Sequence, residues 1–283
     1  MLLTHHFPEG EFKIAQLFNC QNLLLGLLFL GFAPYVVAAP EDEALAEYRA
    51  MFGDENPAEL WQARGDELWH QRRGPKNADL THCDLGRGPG VIAGAYAQLP
   101  RWFEDTQKVE DLESRLVTCI STLQGIPSTD VLKIKFGDGE KKSDLEALVA
   151  YVVTASKGHK MKLSMKHPAE RAAYALGQQV FFYRAGPHDF ACATCHGETG
   201  KRIRLQALPK LTETAGARDA YTHWPAYRIS QGELRTMEWR LQDCFRQQRL
   251  PQLKFGSPVA IGLTMFLAKN AEGGTLVAPS IKR

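Results

Sequence analysis

The sequence predicts a mainly α-helical fold built from two helical domains related by duplication. Two observations predict it. Apolar residues recur at three- and four-residue intervals in segment after segment, the period of a helix with one buried face. Short matches to the first half also return, in the same order, in the second. At 283 residues the chain is long enough for two domains. Its formal net charge of +2 is too small to argue for nucleic acid, and no basic block alternates with aromatics, so that partner class is set aside.

The first 39 residues are expected to be a secretory signal. Lys13 and two histidines precede an apolar run from Leu23 to Phe32, and Val36-Val37-Ala38-Ala39 offers small residues for cleavage. The run is short for a membrane span, and an uncleaved anchor is the alternative. No other stretch approaches transmembrane length. The mature chain is therefore expected in the periplasm, without a membrane segment after cleavage, as residues 40–160 and 161–283. Helical spacing runs from Glu41 through Tyr48, Met51 and Phe52 to Trp61, Leu68 and Trp69. The breakers Arg73-Gly74-Pro75-Lys76-Asn77 follow. The loop Gly86-Arg87-Gly88-Pro89-Gly90 lacks the preceding strand and the Lys-Ser/Thr of a phosphate cradle. Gly94 to Trp102 reads as loop. Leu112, Leu116, Cys119, Ile120 and Leu123 fall at helical spacing, and Ser143 to Ser156 is a helix opened by a capping box of Ser143 and Glu146. Lys157 to Lys166 reads as an inter-domain linker or as a docking strip for an acidic partner. Helices follow at Pro168 to Phe182, Leu234 to Arg249 and Pro258 to Ala268. Leu205 to Leu211 and Pro225-Ala226-Tyr227 read as loops.

Between them stands Cys192-Ala193-Thr194-Cys195-His196, the attachment sequence of a c-type haem. Each thiol adds to one porphyrin vinyl group, and the adjacent imidazole becomes the proximal iron ligand. A zinc site would need two more ligands at finger-like spacing, and a thioredoxin-type pair would need a βαβ context; neither follows. The two helical domains are therefore expected to be cytochrome c-like, with one covalently attached haem c.

Gly74-Pro75 precedes Cys83 by the same distance that separates Gly186-Pro187 from Cys195. In that register Leu80 stands in place of Cys192, Cys83 of Cys195 and Asp84 of His196. Arg115 to Cys119 likewise matches Arg240 to Cys244. The first domain is thus expected to lack haem, and Cys83 and Cys119 to face each other across the corresponding site as a disulfide. Closing a loop of about 37 residues contributes on the order of 3–4 kcal/mol. Cys20 is lost with the signal, so Cys244 is left as the odd thiol.

Met237, Met265 and Cys244 are the candidates for the second axial ligand. A methionine would make the protein a plain electron-transfer cytochrome with His/Met ligation. Cys244 is the stronger candidate, because Arg240 lies one turn before it on the same helix face and Arg246 and Arg249 follow. Guanidinium groups favour the thiolate and can grip an oxyanion in bidentate fashion.

The attachment motif, together with Glu238-Trp239-Arg240-Leu241-Gln242-Asp243-Cys244-Phe245-Arg246-Gln247-Gln248-Arg249, resembles SoxA, the catalytic subunit of the SoxAX cytochromes of bacterial sulfur oxidation. Cys83 to Gly90, Gly94 to Arg101 and Asp111 to Arg115 are similar to that family's opening domain. The single attachment motif resembles the mono-haem members. The resemblance implies an L-cysteine S-thiosulfotransferase that joins thiosulfate to a cysteine of the carrier SoxYZ and passes electrons out through its haem and the partner subunit SoxX. It also implies Cys244 as the active-site cysteine, a persulfide ligating iron opposite His196, and Arg240 as the substrate-binding arginine.

Overall fold

Two pairs of crossed helices frame the computed structural model, which describes residues 47, 50–51, 56–134, 143–203 and 206–282. The expected signal segment, Cys20 and part of the first helical stretch, Tyr48 and Phe52 included, lie outside the described residues. In the first pair, α1 (Glu59–His70) crosses α4 (Asp144–Thr154). In the second, α5 (Pro168–Phe182) crosses α9 (Pro258–Asn270). Both crossings are made at a glycine. A Cβ on Gly65 would overlap the Ala147 carbonyl, and one on Gly177 would overlap the Gly262 carbonyl, so only glycine lets the backbones approach this closely. Leu68, Leu148, Phe181 and Phe266 pack around these contacts.

The connection after each first helix is repeated as well. Arg73 bridges Ala78 and Ala185 bridges Phe190, while Asn77 and Asp189 hold φ of 46° and 49° in the two turns. The first half then runs through a hairpin of β1 (Arg101–Phe103) and β2 (Lys108–Glu110) into α2 (Leu112–Cys119). Gly94 to Trp102, expected as loop, thus ends in a strand. Asp111 caps α2 and shares a capping box with Ser114. One short helix, α3 (Ser128–Val131), precedes α4. Ser143 caps α4 as expected, but Glu146 Oε1 accepts from Arg235 Nη1 at 3.3 Å, tying this helix to the second half.

In the first half the place of the second half's attachment motif is filled by the chain itself. Cys83 and Cys119 are disulfide-bonded, with Cα atoms 5.5 Å apart. Leu80, Leu85, Leu112 and Leu116 are fully buried around them. Asp84, which stands where the second half has His196, takes the Gly86 and Gly88 amides at 2.7 and 3.0 Å. Those amides are the ones a phosphate would have needed.

In the second half, α6 (Cys192–His196) is followed by a hairpin of β3 (Arg202–Ile203) and β4 (Gln206–Ala207), then by α7 (Thr214–Tyr221). A three-stranded sheet follows. Its central strand β5 (Ala226–Arg228) runs antiparallel to β6 (Glu233–Arg235) and parallel to β7 (Ser280–Lys282). Gln206–Ala207, within the stretch expected as loop from Leu205 to Leu211, and the region of Ala226 therefore contribute strands, Leu205 itself lying outside the described residues. The helix expected from Leu234 begins later, as α8 (Met237–Gln247), because Leu234 is committed to β6.

Lys157 to Lys166 is not a loose linker. Met161 and Leu163 point into the core while Lys160 and Lys162 face solvent. Met161 N donates to Gly274 O at 2.9 Å, and Gly273 N and Leu276 N return bonds to Met161 O and His159 O. Lys162 N donates to Ala97 O in the first half. The segment is a strap hydrogen-bonded to both halves. Among the described residues no helix is long and apolar enough to cross a membrane.

A candidate haem and thiol site

Helix α6 carries the attachment motif in a single turn. Its N-terminus is closed by Thr194, whose hydroxyl accepts from the Ala191 amide at 2.9 Å. Cys192 and Cys195 are free, half-buried thiols. His196 Nδ1 donates to the Pro209 carbonyl at 2.9 Å, which fixes the tautomer and leaves Nε2 available as a ligand. Burial lowers the His196 pKa and the Arg240 charge lowers it further, against the Pro209 bond, so the ring is held neutral, as an iron ligand requires. Two free thiols and one oriented imidazole on one turn fit a covalently attached c-type haem.

Helix α8 approaches this turn with a different set of groups. Thr236 caps it by accepting from Trp239 N at 3.2 Å. Leu241 and Phe245 are buried on one face, and Arg240 and Cys244 are half-buried on the next. Cys244 lies close enough to the motif that its charge helps burial push the Cys192 thiol up to about 12. The Cys244 thiol is itself pushed upward, chiefly by burial; Arg240 and Arg228 act against that rise, and Asp243 and Cys195 add to it. The expectation that neighbouring arginines favour the thiolate is thus corrected. Their effect is present, but burial outweighs it.

Asp243 decides where the arginines go. It accepts from Arg246 and from Gln247, each at 2.6 Å, and from Arg240 only at 3.4 Å. Arg246 is largely exposed and serves Asp243 rather than the sulfur. Arg240 is left loosely held beside Cys244. Met265, by contrast, is fully buried in the apolar body of α9, and Met237 is buried at the start of α8.

Sequence reasoning passed over Arg228, at the end of β5. Burial and the Arg240 charge push its guanidinium below the ordinary value, while Asp243 and Cys244 act the other way. The four groups therefore share one neighbourhood. A three-residue strand, paired on one side to a neighbouring strand and on the other to the far C-terminus, gives no local period, so little in the sequence marks this position.

Residues 64–161 match the family profile described as SoxA/TsdA, cytochrome c domain. That stretch ends before Cys192, so the half recognised as a cytochrome c domain is the one without an attachment motif. The chain is 49% identical over 266 residues to the L-cysteine S-thiosulfotransferase subunit SoxA of Hydrogenophilus thermoluteolus, covering 92% of this chain and 97% of that protein. It is 35% identical over 231 residues to a protein of the same name from Hydrogenobacter thermophilus, covering 80% and 82%. Among solved structures, SoxXA from P. pantotrophus matches with a TM-score of 0.66 at 23% identity, covering 81% of this chain and 79% of that one; this likeness is one of fold.

Proposed function

The chain belongs to the SoxA family of L-cysteine S-thiosulfotransferase subunits, and we propose on that footing that Cys244 and Arg240 join thiosulfate to a cysteine of a SoxYZ-type carrier protein. In the overall reaction the S–H bond of the acceptor cysteine breaks and one S–S bond forms to the outer sulfur of thiosulfate. One proton and two electrons leave. A single haem c held by Cys192, Cys195 and His196 would supply, when bound, a one-electron acceptor that takes the two electrons in successive steps and is reoxidised between them. SoxX is the partner subunit through which the electrons pass on, and the complex works in the periplasm.

The chain's own residues do the rest. Burial keeps His196 neutral and the Pro209 carbonyl orients it, so its Nε2 is presented to a metal without a competing proton. Cys244, carried as a persulfide, presents a soft sulfur beside the attachment turn and would supply the second protein ligand to the haem iron along with His196. Arg240, held only loosely by Asp243, is free to take the oxyanion end of thiosulfate in bidentate fashion. Residues 40–160 and 161–283 are read as the two copies of a duplicated cytochrome c-like unit, the first serving as support.

The observation that carries this reading is a free thiol and a weakly engaged arginine one helical turn apart, next to a Cys-x-x-Cys-His turn. Replacing Cys244 by serine should abolish thiosulfate conjugation, measured with thiosulfate and a carrier cysteine, while covalent haem remains visible after denaturing electrophoresis. Full turnover in Cys244→Ser would overturn the assignment of Cys244 as the active-site sulfur.

A further inference from the structure

We propose that Arg228 is a second anion-binding arginine of this site, closing with Arg240 on the oxyanion group of the sulfur substrate. The inference rests on the proposed function, which it deepens by naming what recognises the substrate's charge.

Strand β5 ends at Arg228, whose register partner on β6 is Glu233. A guanidinium directly across from a carboxylate would ordinarily pair with it. Here it does not. Among the described residues no hydrogen bond or ion pair holds the Arg228 guanidinium; its Nε is buried without a partner, and so is Glu233 Oε2. Arg228 instead belongs electrostatically with Arg240, Asp243 and Cys244 on α8.

A buried N–H of a charged group left without an acceptor is costly, on the order of 1–3 kcal/mol or more. Two guanidinium groups brought together add repulsion. The Asp243 carboxylate does not resolve it, because Arg246 and Gln247 already engage it at 2.6 Å. What balances this arrangement is an anion with several acceptor oxygens, presented next to a sulfur. A sulfonate-type group joined to a sulfane sulfur has that shape, with its oxygens toward Arg228 and Arg240 and its sulfane sulfur toward Cys244. A fork of planar donors also discriminates against anions without a planar or tetrahedral oxygen set.

The test uses the haem-loaded complex with its partner subunit. Arg228→Gln should raise the KM for thiosulfate about 10- to 100-fold with kcat little changed, the loss of one charge-assisted bond made equally in ground and transition states. Arg228→Lys should recover part of that loss, since it restores the charge without the fork. Independently of turnover, thiosulfate alone should raise the melting temperature of the unsubstituted complex and of Cys244→Ser, and fail to raise that of Arg228→Gln. A structural role would lower the melting temperature but leave the thiosulfate increment intact. Unchanged KM and an unchanged increment in Arg228→Gln, with Cys244→Ser inactive, would overturn this inference alone. Turnover in Cys244→Ser would overturn the reading beneath it.

Discussion

Helices α2 and α8 occupy equivalent places in the two halves, and each carries an arginine four residues before a cysteine. Their fates are opposite. Arg115 is buried: its Nε donates to Asp84 O at 2.7 Å, its Nη1 meets Asp105 and Glu110 at 2.9 and 3.2 Å, and its guanidinium lies 3.9 Å over the Phe103 ring. Cys119 is closed into the disulfide with Cys83. Arg240 has one carboxylate at 3.4 Å, shared with two closer donors, and Cys244 is a free thiol. The same pair of side chains at the same helical spacing is a structural clamp where partners surround it and, on the proposed function, a reactive pair where they are withheld. The difference lies in the neighbours, not in the pair.

The sharpest way to break the comparison is to truncate both arginines. Arg115→Ala leaves Glu110 buried without its charge partner and should cost about 3–5 kcal/mol in urea unfolding. Arg240→Ala should change stability by less than about 1 kcal/mol while reducing thiosulfate turnover sharply. Equal stability losses would show that Arg240 is as structural as its counterpart. Next comes the disulfide. Cys83→Ala with Cys119→Ala should destabilise the chain by about 2–5 kcal/mol without displacing the covalent haem, because the bridge lies in the half that has no attachment motif. A loss of haem in that variant would mean that the halves do not divide the work as described.

The smallest effect concerns acidity where the two helix N-termini meet. Glu113 on α2 is buried beside Asp111 and reaches Thr236 and Glu238 at the start of α8. Burial, then the Asp111 charge, pushes it up to about 8 from an ordinary 4.5. Burial pushes Glu238 upward too, with Asp111 and Glu113 adding to the rise. The folded chain thus keeps a proton that the unfolded chain releases, so stability should fall as pH rises from about 5 to about 8 and level off above. Glu113→Gln should lessen that slope in melting temperature against pH, with buried Glu238 and Glu146, the latter also pushed up to about 8 by burial, carrying the remainder. An unchanged slope would locate the titration elsewhere.

Much of this was readable without coordinates, and for identifiable reasons. Pro168 to Phe182 is a helix with those bounds because Pro168 supplies a natural first-turn residue, and its breakers at Gly186-Pro187 are unambiguous. The pairing of Cys83 with Cys119 followed from the order of matched motifs. What escaped was non-local. β7 joins β5 from the far C-terminus, so three-residue strands pair across a separation that no local period records. Arg228 was hidden for the same reason, and the Lys157–Lys166 strap because its anchors, Met161 and Leu163, are only two residues among lysines. The thiol's ionisation was misjudged because neighbours can be counted along a helix and burial cannot.

Glu146 sits in the first turn of α4, in the half with no attachment motif, and its carboxylate grips Arg235. Arg235 immediately precedes the residue that caps α8, and its guanidinium rests 4.9 Å from the Trp239 ring. The helix that carries Cys244 therefore has its root bolted into the first half. On the proposed reading of Cys244, a load applied to α8 would pass through Arg235 into α4 and the glycine crossing beneath it, so the half without an attachment motif would brace the thiol.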